Sequence, residues 1–224
     1  MRGEEYWAAV RAMRVCIAGL LDTLSPAEWD APSLCRGWRV RDVAGHLCLV
    51  PTITTWELLA AAPGARFDPN RVNTVLAIRY GSRRPEEIVA GMREHAADRR
   101  TAKALDTRNC LFDVIVHGQD IALPLNRDFP VPPGYSCAGL ERVWAMGWPF
   151  HAKRKLAGLT LTATDTEWTV GTGPRITGPA LSLLLLSTGR ASSVIPALQG
   201  PGLDVLARVG TGGATGDQRR PSGQ

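Results

Sequence analysis

An aspartate and a histidine stand four residues apart in the stretch LFDVIVHGQDIALPL, which covers residues 111–125. The stretch is typical of a helix, so Asp113 and His117 should project from one face as a carboxylate and an imidazole. This pair suits a divalent metal ion, although a buried histidine that bonds to a neighbouring acid gives the same pattern. His46, in the earlier stretch CRGWRVRDVAGHL, supplies a third candidate ligand from another helix. Three protein ligands and one open position form the arrangement of a catalytic zinc site.

Two further acids and a cysteine lie close to these residues in the sequence. Asp42 stands four residues before the first histidine, so a rival site would add it to the three ligands. We favour a structural role for Asp42, because an acid in the first turn of a helix faces free amides and the positive end of the helix dipole. Asp120 lies three residues beyond His117, where a carboxylate could orient the imidazole of a metal ligand. Cys110 shares the helix face, and we interpret it as a small buried hydrophobe.

The two motifs WRVRDVAGHL and DVIVHGQDIALPL resemble those of the DinB-like, mycothiol-dependent maleylpyruvate isomerase family of actinobacteria. The likeness runs from about residue 6 to about residue 206, and the motifs stand in the family's order. The resemblance implies a helical bundle whose metal ligands are His46, Asp113 and His117. In the family, glutamate is frequent where Asp113 stands, so the shorter aspartate requires a closer helix and affects metal choice or occupancy. The matching residues are Trp38, Val40, Arg41, Asp42, His46 and Leu47, then Asp113, His117, Gly118, Gln119, Asp120 and Ile121.

The resemblance also implies a function, namely a metal-dependent thiol transferase or isomerase that uses mycothiol and acts on a small, maleylpyruvate-like electrophile. A metal ion that binds a thiol stabilises its reactive thiolate, and no catalytic group beyond that bound thiol is predicted. Zinc suits two imidazoles and one carboxylate, while iron(II), nickel and manganese accept the same ligand types. Two alternatives stay open: a metal hydrolase that uses bound water with Asp120 or Asp42 as base, and a non-catalytic metal- or ligand-binding protein.

Hydrophobic periodicity predicts four main helices in residues 1–150 of an α+β protein, and the resemblance implies that they form an N-terminal DinB-like bundle. A fifth helix should cover about residues 134–148. We interpret His95, between Glu94 and two alanines, as a surface residue, and His151, which has no partner at useful spacing, as solvated. The predicted main helices cover about residues 4–24, about residues 39–61 with a kink at Pro51, residues 85 to about 105, and about residues 107–123.

The composition changes after residue 150, and the resemblance implies that residues 151–208 form a small C-terminal α/β domain similar to sterol-carrier folds. Residues 159–163 and 167–170 predict a hairpin, residues 171–177 a third strand, and residues 178–186 a helix closed by Gly189. Arg190 follows that helix and is a candidate to hold a substrate carboxylate, although a cation at a helix C-terminus is also favoured by the dipole alone. Residues 209–224 are rich in glycine and polar residues, which predicts a disordered tail.

Composition argues for a cytoplasmic protein with small-molecule partners. The five cysteines are odd in number and show no C-x-x-C spacing, so we expect reduced thiols. The longest wholly apolar run, residues 183–186, is far shorter than the span of about 20 residues that a membrane helix needs. The net charge is +5, but basic clusters such as Arg83-Arg84 lack aromatic interleaving, so we expect neither nucleic acid nor membrane as a partner. A monomer or a homodimer is expected.

Overall fold

The computed structural model describes residues 1, 3–102 and 105–212, and within those ranges the chain forms twelve α-helices and one three-stranded sheet. This confirms the predicted α+β class. The helices are α1 (Gly3–Asp22), α2 (Pro26–Trp29), α3 (Val40–Leu49), α4 (Thr55–Ala61), α5 (Pro69–Gly81), α6 (Pro85–Glu94), α7 (Cys110–Ala122), α8 (Pro133–Ala145), α9 (Ala152–Lys155), α10 (Ala180–Ser187), α11 (Ala191–Val194) and α12 (Gly202–Gly212). The strands are β1 (Thr160–Ala163), β2 (Thr169–Gly171) and β3 (Arg175–Gly178).

The chain divides into two compact units, Met1–Arg142 and Val143–Gln224. Helix α8 crosses the division, so the limits 1–150 and 151–208 stay a proposal for the two domains. Within the described ranges, none of the helices is both long enough and apolar enough to cross a bilayer. All five cysteines are thiols that form no disulfide within the described ranges.

Helices α1, α3, α6 and α7 pack against one another and form the bundle of the N-terminal unit. On α1, the buried side chains Met13, Ile17 and Leu21 recur at intervals of four residues, which places one face of the helix in the core. Tyr6 ties α1 to the start of α7, because its hydroxyl donates to the carbonyl of Thr107 (2.9 Å) and accepts from the amide of Leu111 (3.1 Å). Burial raises the pKa of Tyr6 to about 12, so this link stays protonated.

A glycine next to each candidate histidine allows another element to approach its helix closely. Gly45 precedes His46 on α3, and a Cβ atom there would overlap the backbone of Gly81 at the end of α5. Gly118 follows His117 on α7, and a Cβ atom there would overlap the ring of Phe129. Both histidines therefore sit on helix segments whose positions are fixed by close packing.

Substituting Gly45 by alanine is expected to destabilise the protein by at least about 2 kcal/mol, because backbone cannot move aside as a flexible side chain can. The matched control is Gly19→Ala on α1, where a Cβ atom meets nothing within 4 Å. That control should gain about 0.5–1 kcal/mol from the better helix propensity of alanine. Urea unfolding of both variants measures the difference, and equal stabilities would contradict the packing argument.

The C-terminal unit confirms the predicted hairpin and third strand. Strand β1 lies in the middle of the sheet, antiparallel to β2 and parallel to β3. Asp165, in the turn between β1 and β2, accepts a hydrogen bond from the amide of Ala180 (2.8 Å), which anchors the start of α10. Gly189 closes this helix as predicted, with a φ of +92° that favours glycine.

Three predicted helix limits are wrong. The second helix is not kinked at Pro51 but ends at Leu49, and α4 begins after Thr54, whose hydroxyl accepts from the amide of Glu57 (3.2 Å). The helix predicted to reach about residue 105 ends at Glu94. The last helix runs to residue 212 and so includes the first four residues of the predicted tail; the rest of that tail, residues 213–224, lies outside the described residues.

Candidate metal centre

The side chains of His46, Asp113 and His117 meet in the bundle, the first from α3 and the other two from α7. Nε2 of His46 lies 3.4 Å from Oδ2 of Asp113, and Nε2 of His117 lies 3.6 Å from Oδ1 of the same carboxylate. The two imidazole rings are nearly perpendicular, with centroids 4.9 Å apart. One ligand atom from each residue lies within 4.8 Å of the others.

The spacing and the unmet bonding capacity of these atoms fit a metal ion. Ligand atoms bound about 2.0–2.1 Å from a tetrahedral zinc ion lie roughly 3.3–3.4 Å apart, close to the two nitrogen-to-oxygen distances here. His46 is only 8% exposed, yet neither of its ring nitrogens has a hydrogen-bond partner in the described part of the chain. A buried nitrogen without a partner is costly, and a bound cation would remove that cost for Nε2. The donor set of two imidazoles and one carboxylate suits zinc and related divalent ions.

Charge holds the aspartate and His117 in ionised forms in the metal-free protein. Burial raises the pKa of Asp113, but the interactions with His46, His117 and Arg14 outweigh it, so the pKa lies below its usual value. Burial lowers the pKa of His117, but the hydrogen bonds with Asp120 and Cys35 and the charge of Asp113 raise it well above its usual value. A metal ion would therefore compete with a proton for Nε2 of His117.

A second hydrogen-bonded group lies on the other side of His117. Nδ1 of His117 lies 2.9 Å from Oδ2 of Asp120, and since a carboxylate accepts, Nδ1 carries the hydrogen. The thiol of Cys35 donates to the same oxygen at 3.0 Å. Asp120 is fully buried. This contact holds the ring so that Nε2 faces Asp113; the role of Asp120 in orienting a metal ligand stays a prediction.

The sequence analysis did not identify Cys35 as a residue that contacts this site. It lies in the loop between α2 and α3, which is held against α7 by a bond from the amide of Leu34 to the carbonyl of Asp120 (3.0 Å). Cys35, His117 and Asp120 could themselves bind a metal by residue type. Their atoms already bond to one another at 2.9–3.5 Å, whereas the nitrogens of His46 have no such bonds, so the first group is the stronger candidate for a metal site.

Asp42 and Cys110 have the structural roles that the sequence analysis favoured for them. Asp42 is buried and accepts bonds from the amide of Arg39 (3.0 Å) and from its guanidinium, so it caps α3 rather than joining the three ligands. Cys110 is buried, and burial raises the pKa of its thiol to about 11, as expected of a small hydrophobe. Arg190 donates to the carbonyl of Thr188 (2.7 Å) at the end of α10; its role as a substrate ligand stays a prediction.

Replacing Asp120 by asparagine is expected to weaken zinc binding about 10–100-fold, as changes at groups that orient metal-bound histidines typically do. The reason is that the amide is a weaker acceptor for Nδ1 of His117. Cys35→Ser should have a smaller effect, because a hydroxyl also donates. Asp128→Asn, at an exposed aspartate, is the control. Competition titrations against a zinc chelator measure the affinities, and an unchanged value for the Asp120 variant would contradict the role of this carboxylate.

Comparisons with known proteins agree with this picture. Residues 10–109 match the sequence model of the mycothiol maleylpyruvate isomerase N-terminal domain. The fold is similar to a crystal structure of the mycothiol-dependent maleylpyruvate isomerase, with a TM-score of 0.61 and 14% identity over 90% of this chain and 93% of that one. A histidine-to-alanine mutant structure under the same enzyme name gives 0.57 and 15% over the same shares. No curated protein matches the chain significantly.

Residues 10–109 thus match the mycothiol maleylpyruvate isomerase N-terminal domain, which supports the resemblance drawn from the two motifs. The prediction of an enzyme of this kind agrees with the match. The matched segment contains His46 and ends before Asp113 and His117, so the ligand assignment depends on the geometry of α3 and α7 and not on the match.

Proposed function

We propose that the protein is a metal- and mycothiol-dependent isomerase or thiol transferase that acts on a small electrophile. The single observation that carries this proposal is the meeting of His46, Asp113 and His117 with ligand atoms within 4.8 Å, in a chain of this family. A divalent ion held there, for which zinc is our choice, would stabilise the bound thiol as its nucleophilic thiolate at neutral pH.

The protein's own residues provide the rest of the proposed site. Asp120 holds the hydrogen of His117 on Nδ1, so that Nε2 can act as a ligand. Trp38 lies beside both imidazoles, with its ring nearly parallel to that of His117 at 6.4 Å and 5.8 Å from that of His46. Trp38 therefore packs beside both imidazole rings of the proposed site.

The state of two carboxylates disfavours the hydrolase alternative. Such an enzyme would need Asp120 or Asp42 as the base that activates water. Asp120 is fully buried and bonded to His117 and Cys35, while Asp42 is 3% exposed and bonded to Arg39. Neither carboxylate is available to water. A bound thiol needs no such base, because coordination itself favours the thiolate.

Turnover by the zinc-loaded protein tests the proposal. We expect consumption of maleylpyruvate, or of a chloroaromatic electrophile, only when mycothiol is present, with rearrangement of the first and thioether formation from the second. Consumption of either electrophile without any thiol would instead support hydrolysis. Zinc binding without turnover of either would support a non-catalytic binding protein. With free thiols and small-molecule ligands, we propose a cytoplasmic location and expect no nucleic acid partner.

A further inference from the structure

Cys35, His117 and Asp120 bring three kinds of metal-binding atom together beside the candidate metal centre. Sγ of Cys35 lies 3.5 Å from Nδ1 of His117 and 3.0 Å from Oδ2 of Asp120, and that oxygen lies 2.9 Å from Nδ1. We call these three residues the Cys35 cluster. It shares one imidazole with the candidate metal centre but uses the other ring nitrogen, because Nε2 of His117 faces Asp113.

Two segments of backbone hold the Cys35 cluster in place. His117 and Asp120 are three residues apart on α7, so their side chains leave the same side of the helix. The thiol comes from the loop between α2 and α3, which is fixed on both sides of Cys35. The amide of Cys35 donates to the hydroxyl of Ser33 (3.1 Å), and the amide of Trp38 donates to the carbonyl of Cys35 (2.9 Å). The folded backbone therefore presents the thiol to α7.

The spacing of the three atoms is close to that of ligands around a small divalent ion. With bonds of about 2.3 Å to sulfur and about 2.0–2.2 Å to nitrogen or oxygen, tetrahedral ligand atoms lie roughly 3.3–3.6 Å apart. The distance from sulfur to nitrogen already meets this range, whereas the two distances to Asp120 must widen by about half an ångström. Cys35 is partly exposed, so rotation of its side chain can supply that room, and an ion can approach from that side.

An ion in the Cys35 cluster replaces two hydrogens. The thiol loses its proton and becomes a thiolate, Nδ1 of His117 gives up the hydrogen that it shares with Asp120, and both protons go to solvent. A divalent ion thus leaves the total charge of the cluster unchanged. Charge balance therefore allows the cluster to fill beside an occupied first site, with the two nitrogens of one imidazole on two different ions.

We propose that Cys35, Asp120 and Nδ1 of His117 form a second metal site, which takes soft divalent ions such as cadmium. Thiolate is the donor that selects soft ions, and the three candidate ligands of the first site include no sulfur. Zinc at the concentrations that fill the first site should leave the second empty, because the hydrogen bonds within the Cys35 cluster must be broken before an ion binds. The inference goes beyond the proposed function and does not depend on it.

Ultraviolet absorption of the full chain, kept reduced by a phosphine, tests the second site. The protein is loaded with one equivalent of zinc and titrated with cadmium. We expect one cadmium ion to bind with thiolate-to-metal charge-transfer absorption while the zinc is retained. Cys35→Ser should lose this absorption and weaken cadmium binding at least about tenfold, yet still bind zinc. Cys137→Ser is the matched control, because that thiol is also partly exposed. Absence of the absorption in the wild type, or its survival in Cys35→Ser, would overturn the proposal.

The His46→Leu variant separates this inference from the proposed function. It removes a ligand of the first site and none of the Cys35 cluster, so without zinc it should still bind cadmium with the same absorption. If His46→Leu lost that absorption, the two groups would act as one site and the second site would be refuted. Absence of mycothiol-dependent turnover in the wild type would refute the proposed function alone, because the cadmium titration needs no turnover.

Discussion

Zinc is expected to raise the stability of the wild-type protein and to leave that of the His46→Leu variant unchanged. At a free zinc concentration 100 times the Kd, a ligand that binds only the folded state adds about 2.7 kcal/mol to the free energy of unfolding. Leucine cannot bind the ion, and the two remaining ligands, Asp113 and His117, come from one helix. We therefore expect His46→Leu to lose more zinc affinity than the loss of about 10–100-fold that is typical of changes next to the ligands.

The same substitution should stabilise the metal-free protein, because relief of two unsatisfied nitrogens is expected to exceed the loss of the 3.4 Å contact between His46 and Asp113. Both ring nitrogens of His46 are buried without hydrogen-bond partners in the described chain. An unsatisfied buried polar group costs about 1–3 kcal/mol, and leucine of similar size removes that cost. We therefore expect a gain of about 1 kcal/mol in the free energy of unfolding with a chelator present. Such a gain in the absence of metal is the sign of a residue kept for binding rather than for packing.

Urea unfolding of wild type and variant, each with zinc and with a chelator, gives all four values. His95→Gln is the control, because the side chain of His95 is partly exposed and bonds to Asp98 (3.1 Å) instead of to the candidate ligands. It should keep the full response to zinc. If zinc stabilised the His46→Leu variant as much as the wild type, His46 would not be a ligand.

The extent to which sequence predicted this fold depended on whether a signal was local. The hairpin of β1 and β2 and the closure of α10 at Gly189 depend on neighbouring residues, and both predictions are confirmed. The kink at Pro51 was wrong because apolar residues on both sides of the proline had the right period for one long helix. The competing local signal was Thr54 followed by Glu57, a capping box that begins a separate helix.

In the candidate site, too, the sequence predicted what depends on local spacing and missed what depends on contacts between distant residues. Helical spacing alone places Asp113 and His117 on one face, and the first motif adds His46. Cys35 bonds to Asp120 only because an irregular loop folds back on α7, and nothing in its spacing predicts that contact. The one available signal was its position at the start of the stretch CRGWRVRDVAGHL. The charge of Arg14, which helps to lower the pKa of Asp113, was not predicted either. A cation on the buried face of an amphipathic helix interrupts the apolar pattern without indicating a role.

The Asp113→Asn variant is expected to lose zinc binding and, unlike His46→Leu, to be destabilised without metal. Its carboxylate is the only acidic ligand and lies 3.4–3.6 Å from both histidines. Loss of one partner of a fully buried ion pair costs about 3–5 kcal/mol. The side chain of Asp113 is 24% exposed, so we expect about 2–3 kcal/mol, a discounted value on that scale. The two variants therefore have opposite effects on the metal-free protein.

The destabilisation by Asp113→Asn should depend on pH, and the two shifted pKa values give the window. The lowered pKa of Asp113 contributes stability above its unfolded pKa of 3.8, which is lost as pH falls through the lower folded value. The raised pKa of His117 contributes stability below its unfolded pKa of 6.5, which is lost as pH rises through the folded value. Both contributions are present between about pH 4 and 6.5. We expect the stability difference to be largest there and to shrink at higher pH.

Asp113→Glu separates charge from length in the same experiment. Glutamate keeps the negative charge, so the metal-free stability and its pH dependence should stay close to those of the wild type. Its extra methylene moves the carboxylate beyond the position set by the spacing of α3 and α7, so zinc affinity should fall while remaining above that of Asp113→Asn. Unfolding across the pH range, with chelator titrations at pH 7, measures both quantities. A pH-independent loss of stability in Asp113→Asn would show that the carboxylate acts through packing and not through charge.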